Sequence, residues 1–383
     1  MPRPGHDHVV LLTGYPALGA RRLLDELLAA EGNALVYVVV PPKSAADAEE
    51  QLGALERGAR ERVIVLDGDP SSMDLGLSGA EFRQLTRELD SIHHCAQAAY
   101  ASVDRRAAEQ ANVGATREVL ELGAACQGLR CLVHHSTAFV AGDRTGTVFE
   151  DELEGGQRFR SLYEETKARA EKLVRASMGR LPAAVVRPTN VVGDSTTGAV
   201  DRLEGPYLLA VLLLATPADV ALPLPGRSDA LLHAVPVDYV ARAAAFLGRD
   251  PRAVGKTFHL VDPHPLTALQ AFELVARATG RRSPRGALPV NFTKMLLNTP
   301  GLERFSYNPR AFFEQLTTPV HFDAHNADAL LAGSGIRCPP FEAYVDRMVA
   351  LVRERMRERR EQRRPNQPDA AAAAAAAADD SLS

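Results

Sequence analysis

Short apolar runs alternate with amphipathic segments through the first half of the chain. Runs rich in Val, Ile and Leu predict six buried strands, at residues 8–13, 34–40, 63–66, 91–96, 129–134 and 181–188. The segments between them predict helices, as at 21–31, 44–60 and 79–89. Strands that alternate with helices at this spacing are typical of a parallel, doubly wound sheet. The pattern therefore predicts an α/β fold.

The pattern changes after residue 195, where prolines become frequent and the regular alternation is lost. We predict a smaller C-terminal substrate lobe at 196–350, from which a strand at 258–261 returns to the main sheet or its edge. A helix at 266–280, with Thr267 as a possible N-cap, and a last helix at 341–360 are also expected. The predicted domains are therefore 1–195, the lobe, and a charged helix end with a disordered Ala-rich tail at 351–383.

Charge and cysteine content indicate which ligands and which cellular compartment to expect. A net charge of −4 and a pI near 6.3 give no general attraction to nucleic acid. The four cysteines lack metal-ligand spacing and predict reduced thiols, no metal site and a cytoplasmic protein. Neighbouring side chains of a strand point to opposite faces, so the pairs His93-His94 and His134-His135 are not expected to share a metal.

Two further segments allow membrane contact. The apolar run 207–215 is shorter than a membrane span, and it predicts a core helix, with a tunnel cover or a membrane contact as alternatives. The Arg-rich end of the last helix allows peripheral membrane contact, although its interleaved Glu residues favour a solvated helix face. The sequence does not decide whether the chain forms a homodimer.

The N-terminal strand leads into a turn that contains two glycines. Thr13 and Gly14 end the strand, and Gly19 opens the next helix. Strand, glycine turn and helix form the nucleotide-binding start of a Rossmann-type sheet, because glycine permits close approach and the helix N-terminus offers free N–H groups to a phosphate. The predicted phosphate-binding residues are Thr13, Gly14, Ala17, Leu18 and Gly19.

Tyr163 and Lys167 are four residues apart, so they lie on one face of a helix. A cation beside a phenol favours proton transfer nearer neutral pH. A tyrosine and a lysine with this spacing, and no other motif nearby, are often on a helix surface by chance. The glycine turn and the hydroxyl pair Ser136-Thr137, which follows an apolar run, favour a functional site.

Together these motifs resemble the extended short-chain dehydrogenase/reductase superfamily. The similarity covers roughly residues 8–350 and is greatest to the branch of fatty acyl-CoA reductases and thioester reductases, which have the male-sterility-type NAD-binding domain. The segments that carry it are 135–142, 163–171, 187–195, 205–207, 235–240 and 338–344.

The resemblance implies a role for each matching residue. Tyr163 would be the proton donor to a substrate carbonyl, and Lys167 would hold the nicotinamide ribose and lower the pKa of the tyrosine. The active-site hydroxyl falls on Thr137, with Ser136 as a neighbour that could share the role, and Asn112 would brace the lysine through water. Ala96, Pro188 and Val191 are further expected cofactor contacts.

The glycine turn departs from the family pattern, because it is one residue short and lacks the middle glycine. That change could weaken cofactor binding or shift the loop, although we expect binding to survive. The second strand ends without the carboxylate that NAD-dependent enzymes use, and Lys43 could pair with a 2′-phosphate. NADP(H) is therefore favoured over NAD(H). Asp69 matches an adenine contact in the family, or caps a helix.

The favoured function is reduction of a hydrophobic carbonyl substrate (a fatty acyl thioester, an aldehyde or a ketone), with the apolar segment 207–224 lining an acyl site. One alternative is a nucleotide-sugar epimerase or dehydratase, for which the second lobe offers few basic residues. A second alternative is a nucleotide-sensing protein without turnover, which the altered glycine turn would explain.

Overall fold

The structure is a computed structural model that describes residues 6–30, 33–97, 104–216, 227–282 and 309–362. The Ala-rich tail and the second part of the predicted acyl segment, 217–224, lie outside these residues.

A parallel sheet of seven strands forms the centre of the described residues. Its strands are β1 (His8–Thr13), β2 (Ala34–Val40), β3 (Val63–Asp67), β4 (Ser91–His94), β5 (Cys131–His135), β7 (Ala183–Pro188) and β10 (Thr257–Leu260). Their order across the sheet is β10-β7-β5-β4-β1-β2-β3. The predicted α/β doubly wound architecture is thereby confirmed. Two small parallel pairs join β6 (Gly146–Val148) to β11 (Val320–Phe322), and β8 (Asn190–Val192) to β9 (Ala234–Pro236).

Helices cover both faces of the sheet. The described helices are α1 (Leu18–Ala29), α2 (Ala45–Gly53), α3 (Arg57–Arg60), α4 (Gly79–Glu88), α5 (Arg105–Glu109), α6 (Ala115–Ala125), α7 (Leu162–Ser177), α8 (Tyr207–Ala215), α9 (Val237–Leu247), α10 (Ala268–Thr279), α11 (Pro309–Gln315), α12 (His325–Leu331) and α13 (Val345–Gln362). Alternate residues of β1 enter different cores: Val9 packs with α4, α6 and α7, whereas Val10 packs with α1, α2 and α9. Burial of successive side chains on both faces explains why β1 is apolar from Val9 to Leu12.

Elements after residue 195 return to the main sheet, as predicted. β10 pairs in parallel with β7 at the sheet edge, and α9 packs against α1. The predicted helix at 44–60 is instead divided into a 3₁₀ turn (Pro42–Ser44), α2 and α3.

The lobe has a core of its own, built mainly from α8, α10 and α13. Seven of the nine residues of α8 are buried in it, which confirms the predicted core helix at 207–215. Thr267 caps α10 by accepting a hydrogen bond from Gln270 N, as expected. No helix in the described ranges is long and apolar enough to cross a membrane.

Candidate active site

A cleft of about 1230 Å³ opens at the carboxyl ends of β1, β4, β5 and β7. Ligands of open α/β sheets bind at this edge. The cleft brings together most of the residues that the sequence predicted for the site. Those that line it are Gly14, Ala17, Leu18, Gly19, Lys43, Asp69, Ala96, Ser136, Thr137, Tyr163, Pro188 and Val191.

The glycine turn forms one end of the cleft. Gly14 has φ +92°, and a Cβ there would lie 2.7 Å from the carbonyl carbon of Cys95. A side chain is therefore excluded both by backbone conformation and by the end of β4. A Cβ on Gly19 would meet no atom within 4 Å, so the second glycine stands beside open space.

Thr13 lies behind this turn, not on the surface of the cleft. Its side chain is fully buried, its Oγ1 accepts a hydrogen bond from Ala96 N at 3.2 Å, and it is 2.9 Å from His94 Nδ1. Thr13 does not belong to the lining of the cleft in the described part of the chain, and its contact with the cofactor stays a prediction. The hydroxyl instead joins β1 to β4 beneath the site.

An acidic side chain occupies the start of α1. The Asp201 carboxylate accepts a hydrogen bond from Leu18 N at 2.7 Å and one from the Arg21 guanidinium at 2.6 Å. Asp201 follows Leu18 by 183 residues, so no local pattern in the sequence indicated this contact.

Lys43 and Asp69 lie along the same cleft. Lys43 is exposed in the 3₁₀ turn after β2 and lines the cleft. The Asp69 carboxylate accepts hydrogen bonds from the backbone N–H and the hydroxyl of Ser71, at 2.9 and 2.8 Å. Asp69 thus closes a local turn and lines the cleft, but it caps no helix, because the next helical turn begins at Met73 with Ser72 at its N-cap position. Its contact with adenine stays a prediction.

Tyr163 lies in the first turn of α7, a helix capped by Ser161, whose hydroxyl accepts from Glu164 N. The Tyr163 hydroxyl donates to Gln97 Oε1 at 3.1 Å. Burial raises the pKa of Tyr163, and the carboxylates of Glu164 and Glu204 raise it further. The expected lowering of this pKa is therefore wrong for the protein without ligand. A phenol that keeps its proton is nevertheless the form that a proton donor requires.

Lys167 is buried one turn further along α7, and it does not belong to the lining of the cleft within the described residues. Its Nζ donates to the carbonyl oxygen of His135 at 2.5 Å. Burial lowers the pKa of Lys167 to about 8, against the opposing effects of Cys95 and Glu171. The ammonium is thus held in the interior at the end of β5.

The two candidate hydroxyls have different partners. Ser136 Oγ donates to Glu171 Oε2 at 2.7 Å, and this carboxylate also pairs with the buried Arg187 at 2.6 Å. Thr137 Oγ1 accepts from Phe139 N at 3.3 Å and donates to the carbonyl oxygen of Pro188 across a long distance of 3.4 Å. The Ser136 hydroxyl is therefore committed to a buried ion pair, which favours Thr137 as the hydroxyl of the active site.

Asn112 lies in a π turn (Gln110–Gly114) between α5 and α6, where its side chain is buried. Its amide donates to Thr166 Oγ1 at 2.8 Å. Asn112 thus contacts the residue that precedes Lys167, and it does not line the cleft itself.

The four histidines form two pairs across β4 and β5. The rings of His93 and His135 are 5.8 Å apart, and those of His94 and His134 are 5.5 Å apart. Burial lowers the pKa of all four, so they are neutral near pH 7. In the described part of the chain, no group of three or more His, Cys, Asp or Glu side chains could hold a metal ion.

This arrangement fits a dinucleotide. The cleft runs from the Gly14 turn, where a Cβ would clash, to the phenol of Tyr163 and the hydroxyl of Thr137. A glycine turn before a helix start, together with a phenol and a hydroxyl in the same cleft, is the set of parts that carbonyl reduction with a nicotinamide cofactor uses.

The sequence profile of an NAD-binding family described as "Male sterility protein" matches residues 12–244, which is more than half of the chain. The chain belongs to the male sterility protein family. The family resemblance inferred from the sequence motifs is thereby confirmed, and with it an extended type of NAD(P)-dependent short-chain dehydrogenase/reductase.

The individual relatives share less than a third of their aligned residues with this chain. Over 280 residues, 68% of this chain, it is 28% identical to a subunit of linear gramicidin synthase from Brevibacillus parabrevis, of which it covers 5%. Over 273 residues, 60% of this chain, it is 26% identical to Fatty acyl-CoA reductase 1 of Gallus gallus, and it spans about half (52%) of that protein. The terminal R domain from the myxalamid PKS-NRPS biosynthetic pathway superposes with a TM-score of 0.77 at 28% identity, covering 93% of this chain and 92% of that one.

Proposed function

We propose that this chain is an NADPH-dependent reductase of a hydrophobic carbonyl substrate, and that a fatty acyl thioester is its first substrate class, ahead of aldehydes and ketones. One observation carries the proposal. A single cleft contains the glycine turn at Gly14, the hydroxyl of Thr137 and the phenol of Tyr163.

The lining of the cleft supports a hydrophobic substrate. It includes apolar side chains from β8, α11, α13 and the turn after β5, namely Phe139, Val191, Val192, Phe312 and Leu351. The acyl site therefore lies on these residues, whereas α8, which the sequence pattern favoured, is buried in the core of the lobe. The similarity to a fatty acyl-CoA reductase and to a terminal R domain supports acyl thioesters over other carbonyl compounds.

The residues of the chain act on the carbonyl oxygen. A bound nicotinamide would supply the hydride for the carbonyl carbon. Tyr163 donates the proton that the carbonyl oxygen takes up, and its raised pKa keeps that proton in place until reduction occurs. Thr137 donates a hydrogen bond to the same oxygen and orients it, while the Lys167 ammonium supplies positive charge beneath the site.

The cofactor preference rests on the region after β2. That strand ends at Val40 without a carboxylate, and Lys43 lines the cleft two residues after Pro41. A lysine ammonium at this position suits a 2′-phosphate, so NADPH is proposed as the cofactor. A cytoplasmic location stays a prediction.

The test is a titration of the purified chain with NADPH and NADH, followed by reduced-nicotinamide fluorescence, and then addition of long-chain acyl-CoA or aldehyde. We expect tighter binding of NADPH and oxidation of it when substrate is added. Tyr163→Phe should keep the Kd for NADPH and lose about 10²-fold or more in kcat. Tyr37→Phe, which removes a hydroxyl bonded to Glu88 outside the cleft, is the matched control and should keep full activity.

Other results would contradict the proposal. Equal turnover by Tyr163→Phe would exclude the tyrosine as proton donor. NADPH binding with no oxidation of any carbonyl substrate would favour a nucleotide-sensing protein, and conversion of a nucleotide sugar without net oxidation would favour an epimerase.

A further inference from the structure

The start of α1 already holds an anion, and this anion belongs to the chain itself. Asp201 accepts from Leu18 N with one carboxylate oxygen and from Arg21 with the other, at 2.7 and 2.6 Å. Leu18 is the first residue of α1, and the start of this helix is where the pyrophosphate of a dinucleotide binds in such folds. The carboxylate thus occupies the electrostatic position of a cofactor phosphate.

We propose that Asp201 is a competing internal ligand of the cofactor site. In the free protein its carboxylate holds the Leu18 N–H and the Arg21 guanidinium, and the pyrophosphate takes over both groups when the cofactor binds. Arg21 is then a pyrophosphate ligand. The inference rests on the proposed use of a dinucleotide cofactor.

The segment that carries Asp201 is attached to α1 at a second point. Asp194 is almost fully buried and pairs with the Nε of Arg22 at 3.0 Å, whereas the side chain of Asp201 is 44% exposed. The contact of Asp194 with Arg22 is therefore a buried attachment, whereas the contact of Asp201 with Arg21 lies at the open cleft. Asp201 can leave Leu18 without disturbing Asp194, because the two carboxylates are seven residues apart and pair with different arginines.

The altered glycine turn explains why an arginine at position 21 would help to bind the pyrophosphate. The turn between Gly14 and Gly19 lacks the middle glycine, which normally lets backbone approach the pyrophosphate. A guanidinium that lines the cleft beside the helix start supplies charge-assisted hydrogen bonds in place of that approach. Asp201 neutralises this guanidinium while no cofactor is bound.

Neighbours of Asp201 in the chain also line the cleft. Val200, Arg202 and Glu204 line it together with Asp201. Release of Asp201 by a cofactor would therefore shift other residues of the cleft lining.

The experiment measures the Kd of NADPH and of 2′-AMP, a fragment without a pyrophosphate, for four proteins: the unchanged chain, Asp201→Asn, Arg21→Gln and Asp25→Asn. Asparagine keeps an oxygen that can accept from Leu18 N, so the cap of α1 is retained. Asp25 lies on the same helix outside the cleft, so Asp25→Asn controls for loss of one negative charge. Thermal unfolding of each variant confirms that the fold is retained.

Asp201→Asn should bind NADPH at least roughly threefold more tightly, and Arg21→Gln should bind it roughly tenfold more weakly, as expected for charge at a helix start and for a lost charge-assisted bond. Neither change should alter the Kd of 2′-AMP by a comparable factor, and Asp25→Asn should resemble the unchanged chain. Equal or weaker NADPH binding by Asp201→Asn would overturn the inference and leave the proposed function intact, because Asp201 would then only cap α1. Failure of every protein to bind NADPH would overturn both.

Discussion

The side-chain amide of Asn112 donates to the Oγ1 of Thr166 at 2.8 Å, and both side chains are buried. This bond joins the π turn before α6 to α7, at the residue that precedes Lys167. Thr166 in turn donates to the carbonyl oxygen of Leu162 at 2.6 Å. Asn112 is therefore positioned to fix the rotation of α7, and with it the placement of Tyr163 and Lys167.

We predict that Asn112→Ala and Thr166→Val each reduce stability by about 1–2 kcal/mol, because each leaves a buried polar partner without its bond. The double variant should be less destabilised than the sum of the two, with a coupling of about 1 kcal/mol. Urea denaturation of the four proteins measures this coupling, and kcat should fall in parallel for both single variants. A loss of kcat in Asn112→Ala alone would instead support the water-mediated contact with Lys167 that the family resemblance implied.

The neighbouring hydroxyls of Ser136 and Thr137 give a second prediction. Ser136 donates to the buried Glu171, so Ser136→Ala should cost about 2 kcal/mol of stability and change kcat little. Thr137→Val keeps the shape of the side chain but removes the hydrogen-bond donor, and it should lower kcat by about 10²-fold. Steady-state kinetics and urea denaturation of the two variants distinguish the roles, and a reversed order would assign the active-site hydroxyl to Ser136.

Ser136 and Thr137 also show how far the sequence could predict the site. Apolar runs and glycines predicted the sheet and the glycine turn, because these features depend on local burial and backbone conformation. Spacing gave the shared helix face of Tyr163 and Lys167 for the same reason. The choice between Ser136 and Thr137 depends on Glu171, and the partner of Leu18 is Asp201, 183 residues away. Contacts of this kind follow from tertiary packing, so the sequence pattern could not supply them.

The pH dependence of the reaction should report on Lys167. Burial lowers its pKa to about 8, so the ammonium is lost as the pH rises through that value. If the charge is needed, kcat/KM for NADPH should fall above about pH 8, since this ratio reports groups of the free enzyme. The measurement is kcat/KM as a function of pH for the unchanged chain, Lys167→Met and Lys167→Arg.

Lys167→Met should lower kcat/KM by about 10²-fold or more and abolish the alkaline fall. Lys167→Arg should move the fall to higher pH, because a guanidinium stays charged. A profile for the unchanged chain with no fall between neutral and alkaline pH would show that the charge of Lys167 does not contribute.

Glu150 joins three parts of the chain far from the cleft. Its carboxylate accepts backbone hydrogen bonds from His259 in β10 at 2.8 Å, from Ala327 in α12 at 3.2 Å, and from Asn326. Burial raises the pKa of this carboxyl to about 7, and the three backbone hydrogen bonds oppose that shift. The native protein therefore holds a proton that the unfolded chain releases at lower pH.

The contribution of Glu150 to stability should consequently fall as the pH rises from about 4.5 to about 7, because over this range the unfolded state binds fewer protons than the native state. The difference between 4.5 and about 7 corresponds to about 3.4 kcal/mol, at about 1.36 kcal/mol for each pKa unit. Residue 150 cannot ionise in Glu150→Gln. As the pH rises across this range, the free energy of unfolding of Glu150→Gln should therefore increase relative to that of the unchanged chain. Urea denaturation of both proteins at several pH values measures this difference. Glu152→Gln is the control two residues away, and because the Arg144 guanidinium lowers the pKa of Glu152, any trend there should have the opposite sign. Parallel pH profiles for Glu150→Gln and the unchanged chain would show that the pKa of Glu150 is the same in the native and unfolded states, so that its three hydrogen bonds offset its burial.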